Sequence, residues 1–248
     1  MVNVDVKKDK KMIEKIANSK KVVFFTGAGI SSESGIPTFR GKNGIWNKLK
    51  PEELANFDAF LRNPVLVWEW YNHRKKIIKE AKPNAGHFAI AESQNIFPNV
   101  TVVTQNIDNF HRRAGSKTIY ELHGNIERNY CIKCRTFYNE ELDFSKGVPI
   151  CNCGGLIRPD VVWFGEYLPE DQFGASEKAA RNCDIFFIIG TSAIVYPAAS
   201  LIYIAKQNGA YLIEINIEET EITNIADLSL FGSSGNILPG ILKELKAN

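Results

Sequence analysis

Cys131-x-x-Cys134 and Cys151-x-Cys153 fall within one short stretch of a 248-residue chain. Two cysteine pairs joined by a loop let four thiolates surround one tetrahedral zinc ion. The second pair is one residue tighter than the usual C-x-x-C. Gly154 and Gly155 follow it and allow the sharp turn this needs. A disulfide framework fits poorly, because the chain is far larger than a disulfide-stapled mini-domain and shows no secretory signal. The fifth cysteine, Cys183, stands in an apolar run and reads as a core residue.

Three further clusters could do chemistry. Thr26-Gly27-Ala28-Gly29 opens a glycine turn whose backbone N–H groups can approach a pyrophosphate. It does not match the dinucleotide fingerprint G-x-G-x-x-G, since the third glycine, Gly35, comes too late. A tight turn with no ligand is the competing reading. Gln105-Asn106-Ile107-Asp108 gathers amide and carboxylate ends suited to ribose hydroxyls and a carboxamide, although Asn and Asp also serve as helix caps. His123, in Glu121-Leu122-His123-Gly124-Asn125, has the side chain whose pKa suits a general base near neutrality. His73, His87 and His111 read as core or surface residues.

These clusters need strands to hold them. Residues 22–25, 100–104, 185–189 and 211–215 are short apolar runs rich in β-formers. They end at Gly27, Gln105, Gly190-Thr191-Ser192 and Asn216 respectively, and helix-length segments separate them. That pattern predicts an α/β protein with a doubly wound, Rossmann-like parallel sheet, with ligands at the carboxyl edge of its strands. Residues 1–40, 85–126 and 158–248 are assigned to this domain. Residues 41–84 form a helical module, with a helix from Pro64 to about residue 81. Residues 127–157 form a zinc ribbon, and together the two segments make a smaller inserted domain beside the sheet. The cleft between two domains is a common substrate site.

The bulk composition is that of a globular protein, with 44% hydrophobic and 23% charged residues. A net charge of +2 points to neither nucleic acid nor membrane. The basic stretch at residues 7–11 lacks the apolar core of a signal or a membrane span. Metal-type cysteines without a targeting segment place the chain in the cytoplasm.

Taken in order, the motifs become specific. Residues 27–40 (Gly-Ala-Gly-Ile-Ser-Ser-Glu-Ser-Gly-Ile-Pro-Thr-Phe-Arg), Thr104-Gln-Asn-Ile-Asp108, Leu122-His-Gly-Asn125, Phe164-Gly-Glu166 and Gly190-Thr-Ser192 flank the four cysteines. From about residue 20 to residue 240 the chain resembles the sirtuins, the NAD-dependent protein lysine deacylases. The resemblance implies that the acyl-lysine carbonyl oxygen attacks C1′ of the nicotinamide ribose and nicotinamide leaves. His123 would accept a ribose hydroxyl proton, letting the 2′-oxygen attack the imidate carbon. Water would then complete the transfer, and the products would be free lysine, nicotinamide and O-acyl-ADP-ribose. By position, Gly27, Ala28 and Gly29 would face the NAD pyrophosphate, and Phe39 and Arg40 would lie on the loop closing over NAD. Gln105, Asn106, Ile107 and Asp108 would hold the nicotinamide ribose and carboxamide. Gly190, Thr191 and Ser192 would reach the phosphate and ribose region. Asn216 and Glu218 would meet the adenosine ribose, and Ser234 the adenine end. Phe164, Gly165 and Glu166 would offer backbone edges to an extended acyl-lysine peptide. The zinc on Cys131, Cys134, Cys151 and Cys153 would be structural, since four thiolates leave no open position.

Tyr71 and Arg74 lie three apart and share a helix face, where a guanidinium fork and a phenol could hold a carboxylate. The pair, with Thr38, resembles the sirtuin branch that removes succinyl and malonyl groups. A surface arginine beside Lys75 and Lys76 is the plainer reading. Ser32, where that branch often has alanine, leaves deacetylation open. Two other classes compete. A zinc-ribbon nucleic-acid binder is disfavoured, because Arg128, Lys133, Arg135 and Lys146 are balanced by Glu127, Glu140, Glu141 and Asp143. A protein mono-ADP-ribosyltransferase would use the same NAD activation. A non-catalytic NAD sensor is disfavoured by the joint presence of His123, Asn106 and Asp108.

Overall fold

A computed structural model of the chain describes residues 10–39, 50–140, 142–144 and 147–247. Helix α1 (Lys10–Ala17) leads into β1 (Lys21–Thr26) and the short α2 (Ala28–Ser32). Four helices follow: α3 (Pro51–Leu54), α4 (Phe57–Arg62), α5 (Pro64–Glu80) and α6 (Ala85–Glu92). Next come β2 (Asn99–Thr104), α7 (Phe110–Arg113), β3 (Ile119–Glu121), β4 (Gly124–Cys131), β5 (Phe137–Tyr138) and β6 (Ile157–Val161). The chain ends with α8 (Glu170–Asn182), β7 (Ile185–Ile189), α9 (Ser200–Gln207), β8 (Tyr211–Asn216), β9 (Leu228–Phe231) and α10 (Ser234–Ala247).

Six strands form one sheet in the order β3-β2-β1-β7-β8-β9, each neighbouring pair parallel. The central strands are apolar on both faces because helices cover both. In β1, Val22 and Phe24 point into a cluster with Ile16, Ile90, Leu238 and Ile241. Val23 and Phe25 point the other way, against Leu201, Ile202 and Leu212. Phe24 stacks on Phe187 at 4.9 Å on the first face, and Phe25 meets Phe186 at 5.8 Å on the second. Each such side chain contributes about 1.5–3 kcal/mol by leaving water. Edge strand β9 has no matching run in the sequence, since its four residues include Ser229.

Helix α5 starts as the sequence predicts. Asn63 accepts a hydrogen bond from the Leu66 N–H, and Pro64 sits in the first turn. Its buried residues, Val67, Trp68, Tyr71, Arg74 and Ile78, follow helical spacing. They pack with Phe60, Ile157 and Trp163 into a third apolar cluster, beside the antiparallel sheet β5-β4-β6. The Trp68 indole N–H donates to the Ile157 carbonyl at 2.9 Å, joining helix to sheet. Among the described residues no helix is long and apolar enough to cross a membrane.

Candidate active site

Strands β1 and β7 are neighbours, and the strand order reverses between them, which opens a crevice at their carboxyl ends. The loops after the two strands touch. Gly27 N–H donates to the Ile189 carbonyl at 2.9 Å, and Gly29 N–H donates to the Gly190 carbonyl at 2.8 Å. A Cβ on Gly29 would lie 2.7 Å from the Gly190 Cα, closer than real Cβ atoms come, so only glycine fits. The glycine turn thus brings two strand ends together without a side chain between them. The cleft above measures about 1260 Å³, room for a dinucleotide and a lysine side chain.

A polar network backs this edge. The two Nδ2 protons of Asn106 go to the Gly27 carbonyl (3.0 Å) and Ser31 Oγ (3.2 Å). Its Oδ1 is therefore what Asn106 can offer the cleft. Ser31 Oγ donates to Asp108 Oδ2 at 2.6 Å, and Asp108 Oδ1 accepts from the Phe110 N–H at 2.9 Å. Burial pushes the Asp108 carboxyl up, against the pull of Ser31, the Phe110 amide and Arg74. Gln105 Nε2 donates to Thr191 Oγ1 at 3.0 Å, and Asn216 Nδ2 donates to the Thr191 carbonyl at 3.0 Å. The ends of β2, β7 and β8 are thereby tied in one row.

His123 Nδ1 lies 2.9 Å from the Gln105 carbonyl oxygen. A carbonyl only accepts, so Nδ1 carries the proton and Nε2 keeps its lone pair. Burial lowers the imidazole pKa, partly offset by that bond, so the ring is neutral at physiological pH. This is the state a general base needs.

The opposite wall comes from α5 and the segment after β6. Tyr71 is buried, and its hydroxyl oxygen accepts from the Trp163 indole N–H at 2.7 Å. Burial raises its pKa, so the phenol keeps its proton and can donate. Arg74 is 5% exposed and its guanidinium lies over the rings of Phe39 (4.8 Å) and Trp70 (5.3 Å). Its Nε is buried with no hydrogen-bond partner.

At the far end of the small sheet, the four sulfurs of Cys131, Cys134, Cys151 and Cys153 lie within 4.8 Å of one another. The Cys131–Cys153 and Cys134–Cys151 sulfurs are each 3.5 Å apart, too far for a disulfide. Four thiolates about 2.3 Å from a tetrahedral centre stand about 3.8 Å apart, so the cluster fits zinc. A Cβ on Gly155 would come within 2.6 Å of Cys131 Sγ, so the knuckle closes on this thiolate only with glycine. The Tyr138 hydroxyl donates to Cys151 Sγ at 3.1 Å, as a partner outside the ligand set would.

A family model, the Sir2 family, matches residues 27–197. The chain belongs to the Sir2 family. It is 49% identical over 232 residues to the NAD-dependent protein deacylase 2 of Pyrobaculum aerophilum, covering 93% of each chain. A Sir2 homologue solved as an NAD complex superposes with a TM-score of 0.91 at 43% identity, covering 97% of this chain and 94% of the other. A Sir2 protein solved with a deacetylated p53 peptide and 3′-O-acetyl ADP-ribose gives a TM-score of 0.85 at 36% identity, covering 95% and 97%.

Within this Sir2-family cleft, Phe39 lines the wall over Arg74, while Gly27, Ala28, Gly29, Gln105, Asn106 and Ile107 line the sheet edge beside His123. Gly190, Thr191, Ser192, Asn216, Glu218 and Ser234 continue it towards the other end. Tyr71, Phe164, Gly165 and Glu166 line the opposite wall. Asp108 and Arg74 do not line it. Asp108 sits behind Ser31, and Arg74 sits behind Phe39. Arg40 lies outside the described residues. The sequence reading passed over Ile36, Trp70 and Trp163, which line the cleft, and Ser31, which joins Asn106 to Asp108. Ser31 stands inside the quoted glycine motif and Trp163 immediately before Phe164. Their places in those motifs were the available signal.

Proposed function

We propose that this Sir2-family chain is an NAD-dependent protein lysine deacylase, and that the neutral His123 with its free Nε2 in the cleft carries the reaction. NAD supplies an electrophilic ribose carbon that takes the acyl oxygen as nicotinamide leaves, and water then cleaves the imidate adduct to free the lysine amine, so the products are lysine, nicotinamide and O-acyl-ADP-ribose. His123 Nε2 takes the proton of a ribose hydroxyl, with Nδ1 anchored on the Gln105 carbonyl. Asn106 presents Oδ1 and holds its place through Gly27 and Ser31. Asp108 acts from behind by orienting Ser31. Asn216, Glu218 and Ser234, at the β8 and α10 end of the cleft, take the adenosine half. The peptide lies along residues 164–166, whose strand-like bridge to Asn56 leaves an edge for β-augmentation. The zinc on the four cysteines holds the small sheet together and takes no part in the chemistry. Clustered thiolates suit a reducing compartment, and we place the chain in the cytoplasm.

Arg74 supports an acidic acyl group as the preferred substrate. Its buried guanidinium has an unpaired Nε, and Tyr71 beside it can donate a proton. Phe39 covers it on the cleft side, so binding of a carboxylate there requires Phe39 to be displaced. The test is mass spectrometry of one peptide carrying acetyl-lysine or succinyl-lysine, with and without NAD. Faster NAD-dependent loss of succinyl supports both readings. Loss of acetyl alone keeps the deacylase and removes the clamp. ADP-ribose transferred to protein, with no deacylation, moves the chain to the transferase class.

A further inference from the structure

Arg158 is 1% exposed, in strand β6 beneath the peptide wall, and the reaction has no direct use for it. Its Nη1 and Nη2 donate to the two carboxylate oxygens of Glu166, at 2.5 and 2.9 Å, as a bidentate fork. Nη2 also donates to the Val161 carbonyl at 2.6 Å. The guanidinium lies flat on Trp163, 3.3 Å from the ring centroid. Glu166 returns to the same residue, accepting from the Trp163 N–H at 2.8 Å, while its own N–H donates to the Trp163 carbonyl at 3.0 Å. Residues 163–166 therefore form a closed β-turn, with Gly165 at φ +87° in its third position.

This turn meets the substrate walls at two points, and the residue before it at a third. Phe164 N–H donates to the Ala55 carbonyl at 2.9 Å, which anchors the peptide edge to the segment before α4. The Trp163 indole N–H holds the Tyr71 hydroxyl in the acyl pocket. Val162 N–H donates to the His123 carbonyl at 3.0 Å. Arg158 is buried while the Glu166 side chain is 27% exposed at the cleft, and such a pair adds little net stability over an apolar substitute, so the fork points to a role in conformation.

We propose that Arg158 is a positioning residue that locks the 163–166 turn, setting both the peptide edge and the Tyr71 hydroxyl by holding Glu166 and Trp163. Glu166 then has its charge spent inward and does not select charged residues in the peptide. The inference rests on the deacylase reading, and the experiment separates the two. Steady-state kinetics with an acyl-lysine peptide would be run on the unsubstituted chain, on Arg158→Lys, and on the Arg158→Met/Glu166→Gln double variant. The lysine keeps the charge but loses the planar fork, and the double variant leaves no unpaired buried charge if the single one fails to fold.

Both variants are expected to raise peptide KM about tenfold while NAD KM and ADP-ribose affinity stay within about twofold, a loss of about 1.4 kcal/mol on the peptide alone. Peptide KM within twofold of the unsubstituted chain in both variants overturns the lock. NAD and peptide KM rising together also overturns it, since that is the mark of general loosening. An unsubstituted chain that binds ADP-ribose but releases no acyl group sinks the deacylase reading, and the lock with it.

Discussion

On the sheet side of the cleft, residues 27–29, 105–106 and 190–192 each stand directly after a strand. On the other side, Tyr71, Arg158, Trp163 and Glu166 come from a helix, a strand and a turn and meet only in three dimensions. The first wall is built from backbone approach, where glycine is required because a Cβ would collide. The second is built from large buried side chains that hold one another through a guanidinium, an indole and a phenol. On the proposed function, a wall of backbone would fail by losing NAD, and a wall of side chains by losing discrimination among acyl groups and peptides.

The largest break is expected where the two walls meet. His123→Ala removes the base while its neighbours Leu122 and Gly124 stay packed, and kcat should fall by about 10²–10⁴ with ADP-ribose affinity little changed. Full activity in that variant, by the same peptide assay, would remove His123 from the mechanism. Next, Gly29→Ala pushes a Cβ against Gly190 and separates the ends of β1 and β7. ADP-ribose affinity, read by titration calorimetry, should drop about a hundredfold, or about 2.7 kcal/mol. An affinity within threefold would mean the loops have slack that the close approach denies them.

The side-chain wall should answer differently. Arg74→Met removes the buried guanidinium and leaves the glycine edge intact. The ratio of succinyl to acetyl kcat/KM should fall about tenfold or more, the scale of hydrogen bonds to a charged group, while NAD KM holds. An unchanged ratio would reduce Arg74 to a packing residue between Phe39 and Trp70.

This contrast also accounts for what the sequence disclosed. The sheet was legible because apolar runs at 22–25, 100–104, 185–189 and 211–215 each end in their functional loop, so periodicity and motif coincide. The zinc cluster was legible from spacing alone, and α5 from Pro64 and its helical pattern, while the Asn63 cap emerges only in the structure. Arg158 was not. It lies in a strand with Pro159 beside it, and the pairing that gives it a role spans eight residues and a turn. The burial of Arg74 was also hidden, because Lys75 and Lys76 next to it suggest a solvated face. A charged side chain's partner is set by tertiary packing, and no local pattern carries it.

The smallest effect at neutral pH, and the one that probes what lies under the glycine wall, concerns His87 and His111. His87 is fully buried, with Nδ1 accepting from the Asn84 N–H at 3.3 Å and Nε2 at 3.4 Å from Ser31 Oγ. Its ring stands 5.0 Å from that of His111 and edge-on to Phe110, and Ser31 links it to the Asp108 carboxylate. Burial lowers the His87 pKa to about 4 and puts that of His111 well below the ordinary value, helped there by His87. The unfolded chain takes up these protons near pH 6.5 and the folded one does not. Their contribution to stability is therefore complete above about pH 6.5 and lost as pH falls towards 4, by about 1.4 kcal/mol per pH unit for each histidine. Urea unfolding between pH 6.5 and pH 5, above the range where carboxylates dominate, should show this slope together with that of His123, whose pKa burial also lowers, and His87→Gln should remove one histidine's share of it. A variant with the full slope would mean that His87 opens to water and that the floor of the cofactor wall is looser than its hydrogen bonds imply.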